Sequence, residues 1–236
     1  MPTDDRTVAF RRAGFLLYAA LQFVALTAVA MLLYGGGNPG DPAAPSYAFL
    51  GNFFSDLGAT TTWWGHANGA SAVLFAIALG SVGIGFVAFA GAWRGIAFDR
   101  RRVRWLGVAT QLIGTLSGLG FVGIACTPVN LATAMHNRFV LAAFSLLLVY
   151  VVCLNVLWWC NGVGRRTLAL GVAYIAVVAV YVAIVVDGAR TPEWDSEMMQ
   201  RQVAAQKAIV YGSMVYIVTL TIAIRRRGWK KADSLR

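Results

Sequence analysis

Apolar residues in this chain neither alternate nor recur at helical spacing; they run on in long uninterrupted blocks. Uncharged stretches occupy 13–34, 69–93, 105–126, 139–160, 167–186 and 208–224, and none contains Asp, Glu, Lys or Arg. Crossing roughly 30 Å of hydrocarbon takes roughly 20 apolar residues at about 1.5 Å each. The pattern therefore predicts six spans, the last of which must recruit Gln206 and Lys207 to reach full length. Backbone amides in hydrocarbon have to be satisfied within their own segment, so each span is predicted to be an α-helix. The expected fold is all-α, a six-helix transmembrane bundle forming one domain over residues 1–236.

Composition agrees with this reading, since 58% of residues are hydrophobic and only 13% charged. The distribution of charge adds an orientation, because positive loops are retained in the cytoplasm. Of the 20 Lys and Arg, all but Arg138, Arg190, Arg201 and Lys207 fall at the N-terminus, in the second and fourth connections, or in the C-terminal tail. Asp41, Asp56, Asp187, Glu193, Asp195 and Glu197 lie on the other face. Both termini are thus expected to be cytoplasmic, with the long first loop outside a cell membrane. The net charge of +10 does not indicate nucleic-acid binding. These basic residues flank the membrane, where they set topology and meet anionic headgroups, and no basic stripe interleaved with aromatics is present. Ala28-Val29-Ala30 could be read as a signal-peptidase site. The apolar run continues through Tyr34, beyond the roughly 7–15 residues of a signal core, so an uncleaved helix is preferred.

Several polar and small residues inside the spans bear on packing. Gly114 and Gly118 form a Gly-x-x-x-Gly pair suited to close helix approach. Gln111 and Asn155 fall at similar depth on neighbouring antiparallel helices, so a hydrogen bond between them is expected. Cys126, Cys153 and Cys160 lie at different depths with no metal-ligand spacing and are expected to be packing residues.

Chemistry is concentrated on the opposite, outer connections. The first, 35–68, opens with Gly35-Gly36-Gly37-Asn38-Pro39-Gly40, which cannot extend a helix, and then turns aromatic with Tyr47, Phe49, Phe53, Phe54, Trp63 and Trp64. Such a segment is expected to lie among headgroups or fold back on the bundle. Asn52, Ser55 and Asp56 sit within it, and Ser-Asp-Leu-Gly is also an ordinary turn and capping sequence. The third connection carries Thr127-Pro128 and leads through His136-Asn137-Arg138 into the fourth helix. The fifth carries Glu193-Trp194 and an amphipathic stretch ending at Gln206-Lys207. A lysine at the hydrocarbon boundary can snorkel or pair with a carboxylate, and Asp56 is the candidate. The same face holds His66, so Asp56, His66 and His136 form a weaker candidate metal set, without diagnostic spacing.

The pattern Asn52-x-x-Ser55-Asp56-Leu57-Gly58, then Pro128 ahead of His136-Asn137 and Phe144, resembles the prokaryotic membrane family named domain of unknown function 998. It is distantly similar to the Frag1/DRAM/Sfk1 family, whose members have six helices, a Ser-Asp-x-Gly motif, and often a Glu-Trp pair like Glu193-Trp194. That resemblance implies the same fold and hints at a lipid substrate; an acidic residue common near Asn130 in the prokaryotic family is here an amide. Two functions follow. One is an outer-leaflet site binding a lipid or small molecule through Asn52, Ser55, Asp56, His136, Asn137, Glu193 and Lys207. The other is a lipid-modifying enzyme that hydrolyses or transfers an acyl or headgroup where Ser55, Asp56 and His136 converge, with Lys207 as a further candidate, His136 as general base and Ser55 as nucleophile. Binding is preferred because no complete catalytic signature is present. No cofactor is expected, and the expected partners are membrane lipids.

Overall fold

In a computed structural model, residues 5–91, 103–190 and 196–233 are described, with side chains for 7–91, 103–188 and 197–224. Six helices follow in order: α1 Asp5–Leu32, α2 Gly69–Ala90, α3 Arg104–Ala125, α4 Thr133–Cys160, α5 Arg165–Arg190 and α6 Ser196–Asp233. A 3-10 turn, Phe54–Gly58, interrupts the long connection between α1 and α2. Among the described residues there is no strand, only isolated bridges at Asn38–Asp41 and Thr61–Ala67. All six helices are long and apolar enough to cross a membrane, which is the architecture of a multi-pass membrane protein.

Helix ends depart from the uncharged runs for a physical reason. A charge is excluded from hydrocarbon but not from a helix that continues beyond it. Helix α4 therefore starts at Thr133, before Arg138, and Asn137 and Arg138 are exposed on its first turns. Helix α6 starts at Ser196 and runs 38 residues, about 57 Å at 1.5 Å each, well beyond a bilayer core. The stretch before Lys207 is thus the first part of α6 rather than a separate element. At the other extreme α1 ends at Leu32, and Gly36 and Gly37 follow with φ of 84° and 77°, a left-handed turn that glycine alone adopts freely.

Each helix packs against its neighbours in sequence, and α6 closes on α1, giving a ring of six. Aromatic pairs fill the middle: Phe86–Tyr150 at 5.0 Å between centroids, Phe121–Phe144 at 5.1 Å, Phe144–Tyr181 at 4.6 Å and Tyr174–Tyr216 at 4.3 Å. The outward faces are apolar and exposed, as at Leu112, Leu116 and Leu119 of α3, Val172 and Val180 of α5, and Val215 of α6. Water would disfavour so continuous an apolar surface, whereas lipid accepts it. A second, smaller core of Phe23, Ala30, Tyr34, Phe54, Leu57, Phe75 and Ala78 attaches the 33–68 segment to α1 and α2.

The expected Gln111–Asn155 hydrogen bond does not form. The Gln111 side-chain oxygen and both polar atoms of Asn155 have no hydrogen-bond partner. Depth was matched but rotation was not: Asn155 faces Gly171 of α5, Gln111 lies near Gly91, and the Tyr150 ring fills the space beside Gly114. All three cysteines are free thiols.

Candidate functional site

The 33–68 segment is folded by its own amides and hydroxyls. Asn38 Oδ1 accepts from the backbone N–H groups of Gly40 and Asp41 at 2.9 Å, making a tight turn after the glycines. At the other end Asn68 fastens three strands of chain: its Oδ1 accepts from Gly35 N, and its Nδ2 donates to the carbonyls of Asp56 and Ala59. Ser71 of α2 donates to the Leu57 carbonyl at 3.0 Å. Phe54 and Leu57 can bury their side chains only because these bonds satisfy the neighbouring backbone.

Asn52 is the hub. Fully buried, it turns the two protons of Nδ2 to three acceptors, Tyr34 Oη, the Gly37 carbonyl and Asp56 Oδ2, at 3.1–3.2 Å, and accepts at Oδ1 from Ala48 N. Asp56 Oδ2 also accepts from Phe53 N at 2.9 Å. Lys207 reaches in from α6 and donates from Nζ to Tyr47 Oη and to the Asn52 carbonyl, both at 2.7 Å. Its neighbour Gln206 accepts from Phe54 N. One carboxylate and one ammonium, 3% and 5% exposed, therefore share a polar knot, with Asn52 interposed and no direct ion pair between them.

Burial dominates the electrostatics. Desolvation pushes the Asp56 carboxyl up to about 6; the amide bonds from Asn52 and Phe53, then the Trp63 indole and the Lys207 charge, limit the rise. The phenols of Tyr34 and Tyr47 are likewise raised, first by burial and then by Asp56. For a carboxyl raised in the folded state, the neutral form is favoured by folding. Its stabilising effect is complete below about pH 4 and is lost as pH rises through about 6. We expect the melting temperature in detergent to fall between pH 4 and 6.5 relative to Asp56→Asn. Parallel curves for the two proteins would refute a raised Asp56.

No family model, curated protein or solved structure matches this chain.

Of the residues singled out in the sequence, Asn52, Asp56 and Lys207 converge. His136 does not join them. It is buried in the first turn of α4, where Nδ1 donates to the Thr127 carbonyl at 2.6 Å, tying α4 to the end of α3. No hydrogen bond or ion pair links it to Asp56. Ser55 is half-buried and has no hydrogen bond to His136, and Asn137 is exposed. His66 is exposed and bonds Gly35 O at 2.9 Å. Among the described residues no three His, Cys, Asp or Glu gather as a metal site, so the His66, His136 and Asp56 set is not assembled. Glu193 lies outside the described residues. Sequence reasoning missed Tyr34, Gln206 and Asn68 as members. It also missed Asn130, whose amide bonds Thr60 and Thr61 and so ties the α3–α4 connection to the first one. A clue was available for Asn68, an amide directly before a predicted helix.

Proposed function

We propose that the protein spans the cell membrane with both termini cytoplasmic and holds a lipid or small amphiphile at the outer end of the bundle, against the knot of Asn52, Asp56 and Lys207. One observation carries the reading: a buried lysine and a buried carboxyl are retained where a membrane helix meets an aromatic loop. Ionisable groups at that depth are costly unless they are used. Beside them the Phe49 and Tyr211 rings, 6.0 Å apart, are both partly exposed, giving an apolar approach to the knot. The resemblance of Asn52-x-x-Ser55-Asp56-Leu57-Gly58 to a motif of the domain of unknown function 998 family is in keeping with this reading. Enzymatic use of Ser55 has less support, because His136, the base it would need, makes its hydrogen bond to the Thr127 carbonyl and none to Ser55 or Asp56.

Native mass spectrometry of the purified protein tests the binding. We expect lipid adducts on the wild type and about ten-fold fewer on Asp56→Asn, as for a loss of about 1.4 kcal/mol; equal retention by the two would discard the reading. Orientation is tested separately in a cysteine-free background. Pro45→Cys and Asp195→Cys should react with an impermeant maleimide on intact cells, and Ala232→Cys should not; the reverse pattern would invert the topology.

A further inference from the structure

Every group that surrounds the Lys207 ammonium is electron-rich. Two oxygens accept from it, Tyr47 Oη and the Asn52 carbonyl. Three ring faces enclose it, with centroids 4.6 Å (Phe54), 5.2 Å (Tyr47) and 5.4 Å (Phe49) from Nζ. Asp56 stands one residue behind, bonded to the Asn52 side chain whose backbone carbonyl takes the lysine. Ring faces attract cations and repel anions, so this is a receptor for an ammonium and not for a phosphate. A lysine near the hydrocarbon boundary needs much less, since it can extend to the headgroups. The division of parts is also telling. All the recognising groups lie within residues 47–56, whereas α6 supplies the cation and, outside the cage, the Gln206 acceptor for Phe54 N and the Tyr211 ring beside Phe49 and Phe54, so the cage stays whole when those contacts part.

We propose that the 47–56 segment is an ammonium-recognition site filled from within by Lys207, and that an external alkylammonium group takes its place when the segment lifts from α6. This rests on the reading that the knot binds a ligand, and names the ligand's class. The ammonium can come from a phospholipid headgroup or from a free amine. Leu50, 71% exposed at the rim, and the exposed edge of Phe49 suit the first by offering an apolar path to the cage.

The test empties the cage. Purified Lys207→Ala is melted in ethylammonium chloride and in sodium chloride at equal ionic strength. We expect a rise of about 4 °C at about 100 mM ethylammonium, as for a ligand bound by the folded state with a dissociation constant of about 10 mM. It should disappear when Phe54→Leu or Asp56→Asn is added. Lys207→Val, which fills the space of the lysine stem and leaves the ring-lined end open, serves if the alanine variant does not fold. Nanodiscs separate the sources: stabilisation by phosphatidylethanolamine over phosphatidylglycerol assigns the headgroup, and stabilisation by ethylammonium alone assigns a free amine. Stabilisation by phosphatidylglycerol or inorganic phosphate instead would overturn the ammonium class while leaving a ligand site. No stabilisation by any of the four would overturn both.

Discussion

Replacing Asn52 by Ala is expected to release the 47–58 segment from the bundle, raising amide exchange there by about 10³ while α2 to α5 keep their protection. The fully buried side chain accepts from one backbone donor, and its two amide protons serve three acceptors. A buried polar group left without a partner costs about 1–3 kcal/mol. The losses are unequal. Tyr34 can turn its hydroxyl and Asp56 keeps the Phe53 amide, but Gly37 O and Ala48 N would be stranded. A total of about 4 kcal/mol is the reasonable sum, and at about 1.4 kcal/mol per factor of ten it gives the expected change in exchange. The opening is local because the segment has its own small core, separate from the aromatic centre of the ring, and weakly coupled units open independently. Asn52→Asp should do no better, since it removes the donors and sets a second carboxyl against Asp56. Exchange within about ten-fold of wild type in Asn52→Ala would mean that Asn52 is not the hub.

How far the sequence discloses this arrangement depends on whether a residue's position or its direction is in question. Six helices were legible because lipid imposes a one-dimensional criterion, the absence of charge over about 20 residues. That criterion says nothing about where a helix stops once it has left hydrocarbon, which is why Thr133 and Ser196 were not foreseen as starts of α4 and α6. Depth is also readable from position in a span, and it placed Lys207 level with Asp56. Rotation about the helix axis is not readable in the same way. A residue turns about 100° from its neighbour, so matched depth leaves the facing partner open. Gln111 with Asn155, and His136 with Asp56, were both matched by depth; Asn155 points at Gly171 and His136 at Thr127 O. Tyr34 and Tyr47 look like aromatic-belt residues in the sequence, and only the fold of the segment turns their hydroxyls onto Asn52 and Lys207.

Close packing of α2 on α3 is what positions this site, and Gly118→Leu should lower the melting temperature in detergent by about 10 °C. A Cβ on Gly118 would lie 2.9 Å from the Gly83 carbonyl oxygen and 3.0 Å from Val87 N, both backbone atoms of α2. The converse holds for Gly83, whose Cβ would meet Gly118 O at 2.8 Å and Val122 N at 2.9 Å. Side chains can swing away from an intruding methyl, but helix backbones cannot, so the two helices must separate along their length. Overpacking a tight core typically costs about 1–3 kcal/mol, and a rigid backbone contact belongs at the upper end. At about 2–4 °C per kcal/mol for a chain of this size, that is about 10 °C. Gly114→Leu should be comparably severe, because the Tyr150 ring in its way is fully buried and packed on Phe86. Gly69→Ala provides the control, since nothing lies within 4 Å of the added Cβ and the first position of α2 accepts it. The consequence reaches the site through α2, which carries Ser71 just inside its start and Asn68 just before it, holding the Leu57, Asp56 and Ala59 carbonyls. Gly118→Leu should therefore also raise amide exchange at 56–59, roughly 60 residues away in sequence. A Gly118→Leu protein melting within 2 °C of wild type would show that α2 and α3 do not meet at this contact.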